Sequence, residues 1–192
     1  MNGQLPIGNY QIYDKMIVYK IVKEGHYPMK KKKIQKTNAI RLLDKEKIDY
    51  TIYEYPWNEE QLDARTAAEK VGMQLDKIYK TLVTVGDKTG VTIACIPAEN
   101  ELDLKALAKV SDNKKMEMLP MKDLEKTTGY IRGGCSPIGM KKSFSTYLAA
   151  EAKTMGRIVV SAGKRGMQIE LAPFDLITVT KAAYAEIASR NS

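Results

Sequence analysis

Apolar and polar positions begin to repeat regularly at Thr37. In TNAIRLLDKEK, Ile40, Leu42 and Leu43 fall on one helical side and Thr37 or Asn38 suits the N-cap, which predicts a first helix. Residues 48–55, IDYTIYEY, alternate Ile48, Tyr50 and Ile52 with more polar neighbours, the pattern of a half-buried strand stopped by Pro56. A loop with Trp57 follows, and the alanine-rich stretch 64–72 predicts a helix closed by Gly72. KIYKTLVTVGDKTGVTIACIP then carries two β-branched strands, 78–85 and 90–96, joined through the hairpin loop Gly86-Asp87-Lys88-Thr89-Gly90. Next come a short helix at 102–110, a strand at 116–119, a helix closed by Gly129, an apolar stretch at 144–150, strands at 156–163 and 167–173, and a terminal helix at 173–189. Strands and helices interleave, yet several strand pairs are joined by short hairpins, so the sheet cannot be all parallel. The expected fold is α/β in the α+β sense: a single domain with a mixed, strongly curved sheet and helices packed around it.

Residues 1–28 have no clean period, and their longest apolar stretch is Met16-Ile17-Val18. They resemble neither a signal peptide nor the start of a fold. Met29 opens a plausible bacterial start, and Lys23-Glu24-Gly25 back-translates to a purine-rich ribosome-binding sequence just before it. Residues 1–28 are therefore expected to be a non-native or disordered upstream extension, with the domain spanning 29–192. A length of 192 residues suits one domain, and 44% hydrophobic with 28% charged residues suits a globular chain with a real core. No apolar run approaches the roughly 20 residues of a membrane helix, so a cytoplasmic protein with no membrane partner is expected.

Scarcity narrows the chemistry. One histidine, His26, and two well-separated cysteines, Cys95 and Cys135, provide no cluster with metal-ligand spacing, so no metal and no cofactor are expected. Ser-His-Asp and Cys-His catalysis need an imidazole base within reach and are excluded with it. What remains is Lys, Ser, Thr, Tyr, carboxylates, backbone amides or the substrate itself. Cys95 lies in an apolar strand and reads as a small buried thiol; both cysteines are expected to be reduced.

Three segments stand out. Gly133-Gly134-Cys135-Ser136-Pro137-Ile138-Gly139 packs three glycines, a proline and a hydroxyl into seven positions, and reads either as a tight turn or as a loop cradling an anion or carbonyl oxygen on its amides. It matches neither the P-loop nor the dinucleotide fingerprint. Lys80 shares a strand face with Ile78 and Leu82 while Thr81 points the other way; it is either an edge lysine that blocks aggregation or a buried amine with a lowered pKa. Ser161-Ala162-Gly163-Lys164-Arg165-Gly166 is either a solvated hairpin or a phosphate contact.

Together the Tyr-Lys-Thr-Leu strand (79–82), TGYIRGGCSPIG (128–139), VSAGKRG (160–166) and IELAP (169–173) resemble the YbaK/EbsC family of aminoacyl-tRNA deacylases, and within it the branch acting on Cys-tRNA(Pro) and Cys-tRNA(Cys). The resemblance runs from about Met29 to Ser189. It implies a barrel-like curved sheet related to the editing insertion of bacterial prolyl-tRNA synthetases. It puts the family's essential lysine on Lys80, followed by Thr81, and its substrate loop on Gly133 and Pro137, with Gly134, Ser136 and Gly139 also matching. The pocket tyrosine corresponds to Tyr55 and the pocket serine to Ser161. One departure is clear: where relatives carry an aromatic some nine residues after that tyrosine, this chain has Leu62-Asp63.

The implied activity is trans-editing of mischarged Cys-tRNA(Pro), in which the thiol of the substrate cysteine attacks its own carbonyl and leaves as a cyclic thiolactone. Loop amides from Gly133 to Ser136 would hold the carbonyl or ribose oxygen. Lys80 would anchor the terminal phosphate or ribose, or stabilise the leaving oxygen. The implied partner is the acceptor end of tRNA, with prolyl-tRNA synthetase as a source of tRNA specificity. Hydrolysis of Ala-tRNA(Pro) and a noncatalytic role in binding tRNA or a synthetase are the alternatives.

Charge adds an address. The net charge of +8 is uneven: 29–36 carries +5, 37–128 carries −3, and 129–192, which holds the glycine loop and the Ser161 turn, carries +5. An RNA acceptor end is expected to arrive there.

Overall fold

The helix predicted at Thr37 forms as α1 (Asn38–Lys45), with Ala39, Ile40 and Leu43 buried. Thr37 Oγ1 accepts from the Ile40 amide at 3.2 Å and also donates to the Ala162 carbonyl at 2.6 Å, so one side chain both caps the helix and ties it to the sheet. The chain is seen here in a computed structural model that describes residues 10–13, 16–21, 35–59 and 73–189. The helix expected at 64–72, His26 and Leu62-Asp63 lie outside the described residues.

Two five-stranded sheets are described. Strands β1 (Tyr10–Tyr13) and β2 (Met16–Ile21) form a hairpin that continues antiparallel onto β3 (Tyr50–Glu54). The first two strands arise where the sequence has no strand period. Further along the chain, β4 (Tyr79–Gly86) and β5 (Gly90–Pro97) make the expected hairpin, with Gly90 at φ +71 in its turn. The two-residue β6 (Glu101–Leu102) precedes α2 (Leu104–Val110), where Asp103 caps the helix by accepting from the Lys105 and Ala106 amides at 2.9 Å each. Strand β7 (Met116–Met118) pairs with the end of β4, and α3 (Leu124–Thr128) closes on Gly129 at φ +84. The apolar stretch at 144–150 becomes β8 (Ser145–Ala149), parallel to β5. Strands β9 (Ile158–Lys164) and β10 (Met167–Leu171) form a hairpin whose second strand pairs with β3.

The terminal helix is shorter than expected and must be corrected. Helix α4 (Pro173–Thr180) ends in the wholly β-branched run Ile177-Thr178-Val179-Thr180, and Lys181 then takes a left-handed conformation at φ +55. Beyond it β11 (Ala183–Ala185) joins β8 in parallel and β12 (Ala188–Ser189) pairs with β6. Edge pairing outweighs the high helix propensity of this alanine-rich segment.

A single parallel bridge between Ile78 and Val159 connects the β1-β2-β3-β10-β9 sheet to the β11-β8-β5-β4-β7 sheet. The outcome is the mixed, curved α+β arrangement that the hairpins required. Its main core is apolar: Ile93, Cys95, Ile96, Leu148, Ile158, Val160 and Ile169 are wholly buried. On the other face Ile78 and Val159 form a small separate cluster with Tyr53, Tyr55, Leu75 and Ala98. That cluster forms the floor beneath the candidate site. No described helix is long and apolar enough to cross a membrane.

Candidate active site

Strand β4 is paired on both sides only at its far end, where Thr84–Gly86 meet β7 and the Leu119 amide donates to Val83 O at 2.9 Å. Just before its near end, Ile78 makes an isolated parallel bridge to Val159, and β4 packs close to β9 without forming a ladder with it. Two residues beyond that bridge on their respective strands stand Lys80 and Ser161. Strand alternation directs both toward the face of the small Ile78–Val159 cluster. Lys80 is half-buried, and its Nζ donates to the Ala98 carbonyl at 3.1 Å. Burial lowers its pKa, with Glu101 partly offsetting the shift. The buried-amine reading of Lys80 therefore describes its surroundings better than the solvated-edge reading. Thr81 points the opposite way, across from the buried Cys95 in the register.

The glycine loop lies against the β9–β10 hairpin. A Cβ on Gly134 would come within 3.1 Å of the Arg165 amide nitrogen and the Lys164 carbonyl carbon, so a larger residue would push the loop and hairpin apart by a few tenths of an ångström. Arg165 Nε donates to the Arg132 carbonyl at 3.0 Å, fastening the hairpin tip to the loop. Tyr130 does the same from beneath: its ring rests where a Gly163 Cβ would sit, and its hydroxyl donates to Ile138 O at 2.7 Å and Gly139 O at 3.1 Å. Inside the loop, buried Ser136 accepts from the Ile138 amide at 3.2 Å, Pro137 is buried, and Gly133 is exposed at φ +80. Gly139, at φ +72, packs on the start of α1, away from the loop's exposed tip.

Tyr55 follows β3 and anchors to the same hairpin through its amide, which donates to Gly166 O at 2.9 Å. Its hydroxyl accepts from Gln168 Nε2 at 3.1 Å; burial raises its pKa while that hydrogen bond pulls the other way. Gln168 faces Ser161 on one side and Tyr53 on the other in the strand register. The structure thus brings Tyr55, Ser161 and the glycine loop to one hairpin, with Lys80 joined to Ser161 through the bridge. Thr81 and Gly139 support neighbouring structure instead.

Gln168 escaped the sequence reading. Its Oε1 is buried and finds no hydrogen-bond partner among the described residues. In the sequence it is an ordinary outward residue of an alternating strand. An open cleft of about 260 Å³ beside it, lined by Glu54, Tyr55, Pro56, Trp57 and 164–167, was not foreseen either. The cysteines offer no nucleophile at neutral pH. Burial pushes both thiols up to about 12, where the reactive thiolate is scarce, and both are free.

A sequence profile of the aminoacyl-tRNA editing domain matches residues 58–179. The chain is also 59% identical, over 161 residues, to an Enterococcus faecalis protein named as a candidate Cys-tRNA(Pro)/Cys-tRNA(Cys) deacylase, EbsC, covering 84% of this chain and 98% of that one. Two solved structures share the fold. One is a candidate trans-editing enzyme for prolyl-tRNA synthetase, with a TM-score of 0.65 and 24% identity over 72% of this chain and 85% of the other. A second, described only as a hypothetical protein, has a TM-score of 0.73 and 16% identity over 80% of this chain and 100% of the other.

Proposed function

The chain belongs to the aminoacyl-tRNA editing domain family, and on that premise we propose that it is a deacylase that clears cysteine from mischarged Cys-tRNA(Pro). The observation that carries the reading is the 59% identity across nearly the whole length of a relative named for Cys-tRNA(Pro) and Cys-tRNA(Cys). Among the described residues no histidine stands beside either cysteine, which fits a reaction in which the substrate supplies its own nucleophile.

In this mechanism the acceptor end lies along the β9–β10 hairpin with the ester between Lys80 and the glycine loop. The cysteinyl sulfur attacks its own carbonyl carbon, forming a C–S bond as the C–O bond to ribose breaks. The thiol proton ends on the ribose oxygen, giving a four-membered thiolactone and intact tRNA. Loop amides near Gly133, Cys135 and Ser136 hold the carbonyl oxygen as charge develops, an effect worth roughly 10² to 10³ in rate for one well-aimed donor. The Lys80 ammonium, already destabilised by burial, faces the departing oxygen and stabilises its negative charge. Tyr55 and Ser161 fix the aminoacyl group. The tRNA body is selected with help from prolyl-tRNA synthetase, and the reaction belongs to the cytoplasm of a bacterium.

Deacylation of Cys-tRNA(Pro) and Ala-tRNA(Pro) measured side by side tests this reading. Preferential loss of the cysteinyl ester supports it. Preference for the alanyl ester, or binding without turnover over several equivalents of substrate, would replace it with one of the alternatives. Equal turnover by a chain begun at Met29 would support reading 1–28 as outside the editing unit.

A further inference from the structure

We propose that Trp57, braced by Arg165, is a stacking platform for an unpaired nucleobase at the 3′ end of the acylated RNA. The inference rests on the editing reading and specifies where the polynucleotide end is held. Trp57 is 42% exposed although its ring is fixed in place. Its Cδ1 edge occupies the space a Gly166 Cβ would need, 2.5 Å away, so glycine at 166 lets the indole seat on the hairpin tip. The Arg165 guanidinium lies 5.0 Å from the ring centroid. An exposed tryptophan would be unremarkable alone, but here the ring borders the open cleft of about 260 Å³ that also contains Tyr55.

The state of Arg165 decides between a base and a phosphate as the ligand. Its Nε is committed to the Arg132 carbonyl at 3.0 Å and its Nη1 to Glu59 at 3.2 Å. With donors engaged and charge partly neutralised, it serves as a rigid brace under an aromatic plane more than as an anion clamp. Long-range attraction for RNA is supplied by the surrounding excess of positive charge, +5 over residues 129–192. A stacked base is tolerated whatever its identity, because every base has a π-face. The platform and the aminoacyl contact at Tyr55 lie two residues apart, so one unpaired nucleotide end can meet both.

Trp57 is the sole tryptophan, so its fluorescence reports on the platform directly. The full chain would be titrated with an RNA acceptor minihelix carrying an intact single-stranded 3′ end, and with the same RNA lacking its terminal nucleotides. Saturable quenching by the intact RNA, weaker by the shortened one, is expected. Trp57→Leu should weaken binding of labelled intact RNA roughly tenfold, and Trp57→Phe should restore most of it. Binding of labelled RNA without quenching would overturn the platform, as would a Trp57→Leu variant that binds as tightly as wild type. Deacylation of Cys-tRNA(Pro) by the same wild-type preparation separates the two ideas: no turnover sinks the editing reading, whereas turnover with an unchanged KM in Trp57→Leu removes only the platform.

Discussion

The two ends of β4 differ less in composition than in what lies beside them. From Thr84 to Gly86 the strand is paired with both β5 and β7, and the wholly buried Thr84 hydroxyl donates to Thr92 O at 2.8 Å. From Tyr79 to Leu82 its ladder runs on the β5 side alone, and β9 packs nearby with a backbone bridge only at Ile78. Where pairing is complete the strand becomes core. Where pairing lapses stand Lys80 and, across the Ile78–Val159 bridge, Ser161, two of the candidate site residues. The proposed chemistry is placed at this break in the sheet.

Substitutions at the two ends should separate accordingly. Lys80→Met is expected to lower kcat/KM for Cys-tRNA(Pro) by about a thousandfold, roughly 4 kcal/mol of transition-state stabilisation, with unchanged far-ultraviolet circular dichroism. Single-turnover deacylation measures the first quantity, and near-wild-type rates would remove Lys80 from the mechanism. Ile93→Ala, on β5 opposite the doubly paired end, empties a wholly buried site and should cost about 2–5 kcal/mol in urea unfolding, while turnover per folded molecule holds. A loss of turnover without loss of stability would erase the distinction between the two ends.

A smaller effect is expected where the loop meets the hairpin. Tyr130→Phe strips a donor from the Ile138 and Gly139 carbonyls and should cost about 1–3 kcal/mol. Because the hydroxyl holds the loop's far end, KM should rise more than kcat falls. The subtlest effect concerns Lys80 and pH. Burial lowers its folded-state pKa, so the folded chain binds that proton less tightly than the unfolded chain. The resulting penalty is complete below the folded-state pKa and fades as pH rises through it toward the ordinary lysine value. Lys80→Met should therefore gain most in thermal stability over wild type near neutral pH, and the gain should shrink in alkaline buffer. A pH-independent difference would mean that packing, not charge burial, governs the position.

These contrasts also mark how far the sequence could be read. Helix α1, the β4–β5 hairpin and the β9–β10 hairpin are local: periodicity, a capping threonine and glycine turns specify them without help from distant residues. The end of α4 is not local, since Ala183–Ala185 become a strand only because β8 offers an edge. Lys80 and the glycine loop were legible through motifs, but the lysine's setting depends on where β9 leaves β4, a meeting of Ile78 with Val159 across more than a third of the chain. Gln168 stayed hidden for a similar reason. Its place opposite Ser161 follows a register shift between Met167 and Gln168 that alternation alone does not reveal.

The central claim is that a break in the sheet holds an ester whose own thiol does the cutting. Deacylation of Cys-tRNA(Pro) compared with its S-methylcysteinyl counterpart by the wild-type chain tests it most directly. The cysteinyl ester should be cleaved and the S-methyl ester, which cannot cyclise, should persist at the uncatalysed rate; equal cleavage of both would contradict the claim and point to attack by a bound water.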